Sequence, residues 1–159
     1  MLLKNAFSIY SKMNLLLWRK PPPIWDLHHG SIPRRMDKCP FCNVEPEREI
    51  IASSSFSMAF FDGFPVSPGH VLIIPRRHVA SFFELTLEER IDMLNLADDV
   101  KRIVDDKFHP DGYNIGVNIG EAAGQSIFHV HMHLIPRYSG DVPNPRGGVR
   151  GVIPARQNY

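Results

Sequence analysis

The chain reads as an α+β fold: an antiparallel sheet of about five strands, one long helix and one short helix. Three observations predict it. Short apolar runs bounded by turn residues recur on both sides of a single long helical stretch. That stretch opens on a capping box and keeps helical spacing for about six turns. Strands and helices do not alternate one by one, as a parallel βαβ array requires.

Each element has its own signal. Glu49–Ala52 and Phe56–Phe61 read as strands, the second ending at the Asp62-Gly63 turn. Val66-Ser67-Pro68-Gly69 forms the next turn. His70–Pro75 is a continuous apolar run with β-branched residues, the pattern of a buried strand. Val79–Leu85 suits a short helical turn. Thr86-Leu87-Glu88-Glu89 is the capping box of the long helix. Ile91, Leu94, Ala97, Val100, Ile103 or Val104, and Phe108 recur at helical spacing and predict its buried face. Lys101, Arg102 and Lys107 sit late, where the helix dipole favours cations. Pro110 and Gly112 end it. Tyr113–Ile119 and Ile127–Ile135 complete the sheet, and Tyr138–Tyr159, rich in Pro, Gly and Arg, reads as mostly irregular.

A chain of 159 residues with 43% apolar and 22% charged residues is long enough for one domain with a sizeable core. A net charge of +1 gives no argument for a nucleic acid polymer or a membrane as partner. The charge is uneven, however. Residues 1–38 carry a surplus of +5 and residues 39–159 a balance of −4. No stretch approaches the roughly 20 apolar residues of a membrane-spanning helix.

The most informative run is Ser126-Ile127-Phe128-His129-Val130-His131-Met132-His133-Leu134-Ile135. In an extended strand side chains alternate between faces. His129, His131 and His133 therefore share one face, while Phe128, Val130, Met132 and Leu134 share the other and enter a core. Three aligned imidazoles can bind metal, attack as nucleophiles or move protons near neutral pH. Cys39 and Cys42 form a C-x-x-C pair, the only cysteines of the chain. Zinc ligands, a redox dithiol and two unrelated thiols all fit that pair. A redox pair belongs near a thioredoxin-like βαβ unit, and none is visible.

His-Val-His-Met-His-Leu-Ile resembles the signature of the histidine triad superfamily, and the resemblance extends from about Cys39 to Ile135. It implies that His131 attacks the α-phosphorus of a nucleotide and forms a nucleotidyl-histidine intermediate. His133 then contacts the phosphate or orients His131, and Gln125 assists catalysis. Asn118, Gln125 and Ser126 match residues that meet the phosphates. In Phe60–Pro75, Asp62 matches a residue that binds ribose hydroxyls, Phe60 and Leu72 line the base pocket, and His70 supports the triad. The zinc-bearing branch implies a structural Zn2+ held by Cys39, Cys42, His78 and His129. The family also implies a homodimer. Pro136-Arg137 resembles the dinucleoside polyphosphate branch, and Arg137, Arg146 and Arg150 are placed to reach distal phosphates. The expected function is thus nucleotide hydrolysis, or nucleotidyl transfer, on dinucleoside polyphosphates such as diadenosine tetraphosphate. A phosphorylase using phosphate as acceptor, a nucleoside phosphoramidate hydrolase and a nucleotide-binding protein with little turnover are the alternatives.

The resemblance also divides the chain. Residues 1–35 form a basic leader and linker, residues 36–138 the catalytic domain, and residues 139–159 an Arg/Gly/Pro-rich tail. Met1–Lys20 holds four basic residues and no acid, a composition compatible with a mitochondrial transit peptide. Met36-Asp37-Lys38-Cys39-Pro40 also resembles a natural family start. The second reading is preferred, and with it a cytoplasmic protein.

Overall fold

The computed structural model describes residues 39–44 and 48–158. The leader reading of residues 1–35 lies outside them. The described chain forms strands β1 (Ile50–Ser53), β2 (Ser57–Phe61) and β3 (Val71–Pro75), helix α1 (Leu87–Phe108), then β4 (Gly112–Val117) and β5 (Met132–Arg137). One five-stranded antiparallel sheet results, in the order β1-β2-β3-β5-β4. The expected fold class is the observed one. Short 3-10 turns at Phe82–Glu84, Glu121–Ala123, Gly148–Val152 and Pro154–Arg156 complete it. The last two give the tail, expected to be mostly irregular, local helical order.

Strand β3 is apolar throughout because both its faces are covered. Val71 and Ile73 join Ala59, Met132, Leu134 and the helix in one core. Leu72 and Ile74 join Cys39, Phe41 and Phe60 in a second cluster on the opposite face. The functional side chains belong to this second face.

Helix α1 starts where the capping box places it. Thr86 Oγ1 accepts from the Glu89 amide at 3.2 Å, and the Glu89 carboxylate accepts from the Thr86 amide at 2.8 Å. It ends at His109, which takes a left-handed φ of 50° before Pro110. The expected buried face needs correction in its first half. Ile91 and Leu94 are about half exposed, while Met93, Leu96, Ala97, Val100 and Val104 are buried. Glu89 sets this phase. It is buried and paired with Arg77 through two hydrogen bonds of 2.8 Å, so the residues four, seven and eight positions on face the sheet with it.

The last strand also starts later than expected. The Val130 amide donates to the Val79 carbonyl at 2.7 Å, and the first β3–β5 pair is Ile73 with Met132. Residues 127–131 therefore leave the ladder, although Val130, Met132 and Leu134 still point into the core beneath α1. Phe128 is half-buried and outside that core, contrary to the alternation reading.

Candidate active site

The two cysteines lie in a turn where the Cys42 amide donates to the Cys39 carbonyl at 3.1 Å, which brings both thiols to one side. His78 stands three residues beyond β3, and His129 just before β5. Cys42 Sγ lies 3.1 Å from His78 Nδ1 and 3.6 Å from His129 Nδ1; Cys39 Sγ is also 3.6 Å from His129 Nδ1. All four donor atoms fall within 4.8 Å of one another. Tetrahedral zinc, at about 2.3 Å from sulfur and about 2.0 Å from nitrogen, spaces S and N ligands about 3.5 Å apart. The separations fit. So does the tautomer: His129 Nε2 is 2.8 Å from the Pro75 carbonyl and must donate to it, leaving Nδ1 with its lone pair toward the thiols. Burial holds His129 below the usual imidazole range. Burial and the Cys39 thiol push Cys42 up to about 11. A bound cation reverses that preference, because a coordinating thiol is deprotonated.

His131 is buried and edge-on to Phe41, with ring centroids 5.3 Å apart. Its Nδ1 is 2.8 Å from the His129 carbonyl. A carbonyl only accepts, so Nδ1 carries the proton and Nε2 keeps a lone pair. The ring lines a cleft of about 380 Å³ with Asp62, Leu72, Ser126, His133 and the unanticipated Arg48.

His133 belongs to a second cluster, with His70 and Asp62. The Val66 amide donates to His70 Nδ1 at 3.3 Å, so the His70 proton is on Nε2. His70 Nε2 is 3.0 Å from His133 Nδ1 and donates to it. The His133 proton therefore sits on Nε2, a buried atom without a partner among the described residues. Burial, then the neighbouring His131 and His70, push His133 down to about 4. Burial likewise lowers His70, opposed by Asp62, whose carboxylate is 3.4 Å from its Nδ1. Both rings are neutral at neutral pH.

The structure thus gathers Asp62, Leu72, Ser126, His131 and His133 in one cleft. It places other expected residues elsewhere. Phe60 is fully buried behind the cleft, under Phe41 and Arg48, and packs as core. Gln125 is buried with its amide engaged by backbone. It donates to the carbonyls of Ala80 at 2.7 Å and Ile127 at 3.2 Å and accepts from the Gly120 amide at 2.8 Å. It fastens the loop before the histidines rather than lining the cleft. Asn118 lines a neighbouring cleft instead. The expected reach of the tail arginines is not seen for two of them. Arg137 holds Asp141 and Asn114, and Arg150 donates to the carbonyls of Gln157 and Arg156. Phe41 and Arg48 had no clear sequence signal, though Phe41 stands between the two cysteines.

An antiparallel sheet carrying three alternating histidines, the first in a Cys2His2 cluster and the other two lining a cleft, defines a protein of the histidine triad class. The HIT domain family model matches residues 43–140, and the chain belongs to that family. An uncharacterized HIT-like protein of Saccharolobus solfataricus is 40% identical over 109 residues, covering 65% of this chain and 76% of that protein. A bis(5'-adenosyl)-triphosphatase of Dictyostelium discoideum is 38% identical over 98 residues, or 62% of this chain and 66% of that one. A zinc-bound histidine triad family protein from Mycobacterium smegmatis superposes with a TM-score of 0.62 at 27% identity, over 76% of this chain and 94% of that chain.

Proposed function

We propose that the protein hydrolyses nucleotides at the α-phosphate through a nucleotidyl-His131 intermediate, with dinucleoside polyphosphates as the leading substrate class. One observation carries this reading: the hydrogen bond from His131 Nδ1 to the His129 carbonyl, which leaves Nε2 as a nucleophile on a ring lining the cleft. Nε2 forms a bond to the α-phosphorus. The bond from phosphorus to the bridging oxygen breaks, and its electron pair leaves with the departing group. The ring gains positive charge in this step, and the His129 carbonyl, held against Nδ1–H, opposes it. His133 Nε2–H is the unpartnered donor available to phosphoryl oxygens. Water then attacks phosphorus, loses its proton to solvent and returns the P–N electron pair to Nε2. Asp62 accepts from ribose hydroxyls and Leu72 packs on the base.

Cys39, Cys42, His78 and His129 would hold a structural zinc, which would tie together the segment before β1, the loop after β3 and the triad run. His129 contributes twice, its ring to the ligand set and its carbonyl to His131. Ser126, exposed at the cleft rim, contacts phosphate, and Gln125 positions the loop that carries it. The expected homodimer is supported by β4, an edge strand with Ile115 half exposed; light scattering of the purified chain tests it. No helix among the described residues is long and apolar enough to cross a membrane. The polyphosphate substrate is supported by the name of the Dictyostelium relative.

The test is incubation of the purified chain and of His131→Ala with diadenosine tetraphosphate, with and without phosphate. Wild type releases AMP and ATP, and the variant loses turnover by on the order of 10⁴-fold. ADP formed only with phosphate would make it a phosphorylase. Turnover retained by His131→Ala would overturn the mechanism.

A further inference from the structure

Among the described residues, Arg48 is the one arginine or lysine lining the cleft of His131, and Asp62 the one carboxylate. The Arg48 guanidinium lies over the Phe60 ring, 4.8 Å from its centroid. Its N–H donors meet no acceptor among the described residues. Other arginines of the domain differ: Arg77 holds Glu89, Arg90 the Phe83 carbonyl and Arg137 Asp141. Stacking thus fixes where Arg48 stands without using its hydrogen bonds.

Its place along the cleft follows from the sheet register. Phe60 pairs with Leu72, and Leu72 with His133, so the three form one cross-strand row. Phe60 and His133 are therefore two strands apart, roughly 10 Å at the usual strand spacing. Ring contacts trace the same path. His131 lies 5.3 Å from Phe41, and Phe41 lies 5.7 Å from the Phe60 ring that carries Arg48. Phosphate belongs at the His131 and His133 end of this row. Arg48 stands at the other end, past Leu72, beyond hydrogen-bond reach of that phosphate and beside the base.

We propose that Arg48 determines base specificity, reading the edge of the base so that the protein prefers a 6-oxopurine nucleotide to an adenine nucleotide. The proposal rests on the nucleotide reading of the His131 cleft. Arginine has donors only. Guanine and hypoxanthine carry two adjacent acceptors, O6 and N7, which a guanidinium fork meets with two hydrogen bonds. Adenine has an amino donor in place of O6, so the fork sets a donor against a donor, and one of them goes unpaired. Asp62, the one carboxylate of the cleft, does not relieve this. It accepts from the Phe64 amide at 2.9 Å and faces the ribose. The favoured dinucleoside polyphosphate then carries guanine, or another 6-oxopurine, at the end bound here.

The test is calorimetric affinity of the purified chain for AMP, GMP and IMP, which needs no turnover. GMP and IMP bind about tenfold tighter than AMP, within the range of a bidentate arginine contact. Arg48→Met keeps an unbranched side chain over Phe60 and removes the donors, and GMP and IMP fall to the AMP value. Arg48→Lys, which keeps the charge without the fork, retains part of the preference. Equal affinities for the three nucleotides, no binding by any of them, or a preference that survives Arg48→Met would overturn the assignment. So would a uniform loss in Arg48→Met with the ratios intact, which would make Arg48 a packing residue. Tight GMP with IMP no better than AMP would also overturn it, because the 2-amino group would then be what is read. Failure of the hydrolysis reading shows separately, as absence of product from wild type and a dinucleoside polyphosphate while the ratio of GMP to AMP affinity persists.

Discussion

Two clusters flank His131, and they look alike by proximity alone. Cys39, Cys42, His78 and His129 on one side, and Asp62, His70 and His133 on the other, each bring donor atoms within 4.8 Å. Their directions differ. In the first, lone pairs converge: both thiols face His129 Nδ1, whose opposite nitrogen is tied to Pro75. In the second, the groups stand in series. The His70 ring lies between its neighbours, using Nδ1 on the Val66 and Asp62 side and Nε2 toward His133. An imidazole cannot offer both nitrogens to one ion. Convergence suits a metal, whereas a series fixes tautomers and passes the proton position along.

The largest expected effect comes from breaking the converging cluster. Structural zinc contributes on the order of 10 kcal/mol in small zinc domains, comparable with the whole stability of a domain. Cys42→Ala is expected to lose stoichiometric zinc and more than about 10 °C of melting temperature. Metal analysis and calorimetry on the same preparation check this. Retained zinc after Cys42→Ala, or zinc lost after His70→Phe, would reverse the roles given to the two clusters.

Breaking the series should affect turnover and leave metal content alone. His70→Phe frees His133 to take either tautomer. The expected loss in kcat is about ten- to a hundredfold, below the 10²–10⁴ of a direct proton donor, with KM little changed. His70→Gln, which keeps a donor near Nε2, should recover part of it. A loss confined to KM would place His70 in binding instead.

The smallest effect sharpens the electrostatic side. His133 titrates at about 4 in the fold, because of burial and then His131 and His70, against about 6.5 in an unfolded chain. The unfolded state therefore binds more protons between those values. The stability from a neutral His133 is complete above about pH 6.5 and is lost as pH falls toward 4. Melting temperature should fall across that window, and His133→Asn should fall less steeply. Parallel curves would assign the acid sensitivity to other groups.

Some of this was legible in local sequence. The alternation of His129, His131 and His133 against Val130, Met132 and Leu134 survives even where the ladder does not, because extended backbone suffices to alternate side chains. Thr86 and Glu89 cap each other within one turn, so the helix start needed no tertiary information. The phase of that helix did. Leu87, Ile91 and Leu94 also form an apolar stripe, but the sheet packs against Met93, Leu96, Ala97, Val100 and Val104, on the side where Glu89 meets Arg77.

What sequence alone determined, then, was residue type and local period: a three-histidine face, a C-x-x-C turn, one capped helix and about five strands. Tertiary structure decided where the ring nitrogens point. The Pro75 carbonyl orients His129, the His129 carbonyl orients His131, and His70 orients His133. It also turned Gln125 toward backbone. The physical reason is common to these cases. Periodicity fixes the face a side chain occupies. The protonated nitrogen and the direction of its lone pair depend on acceptors and donors, most of them delivered by distant segments of the chain.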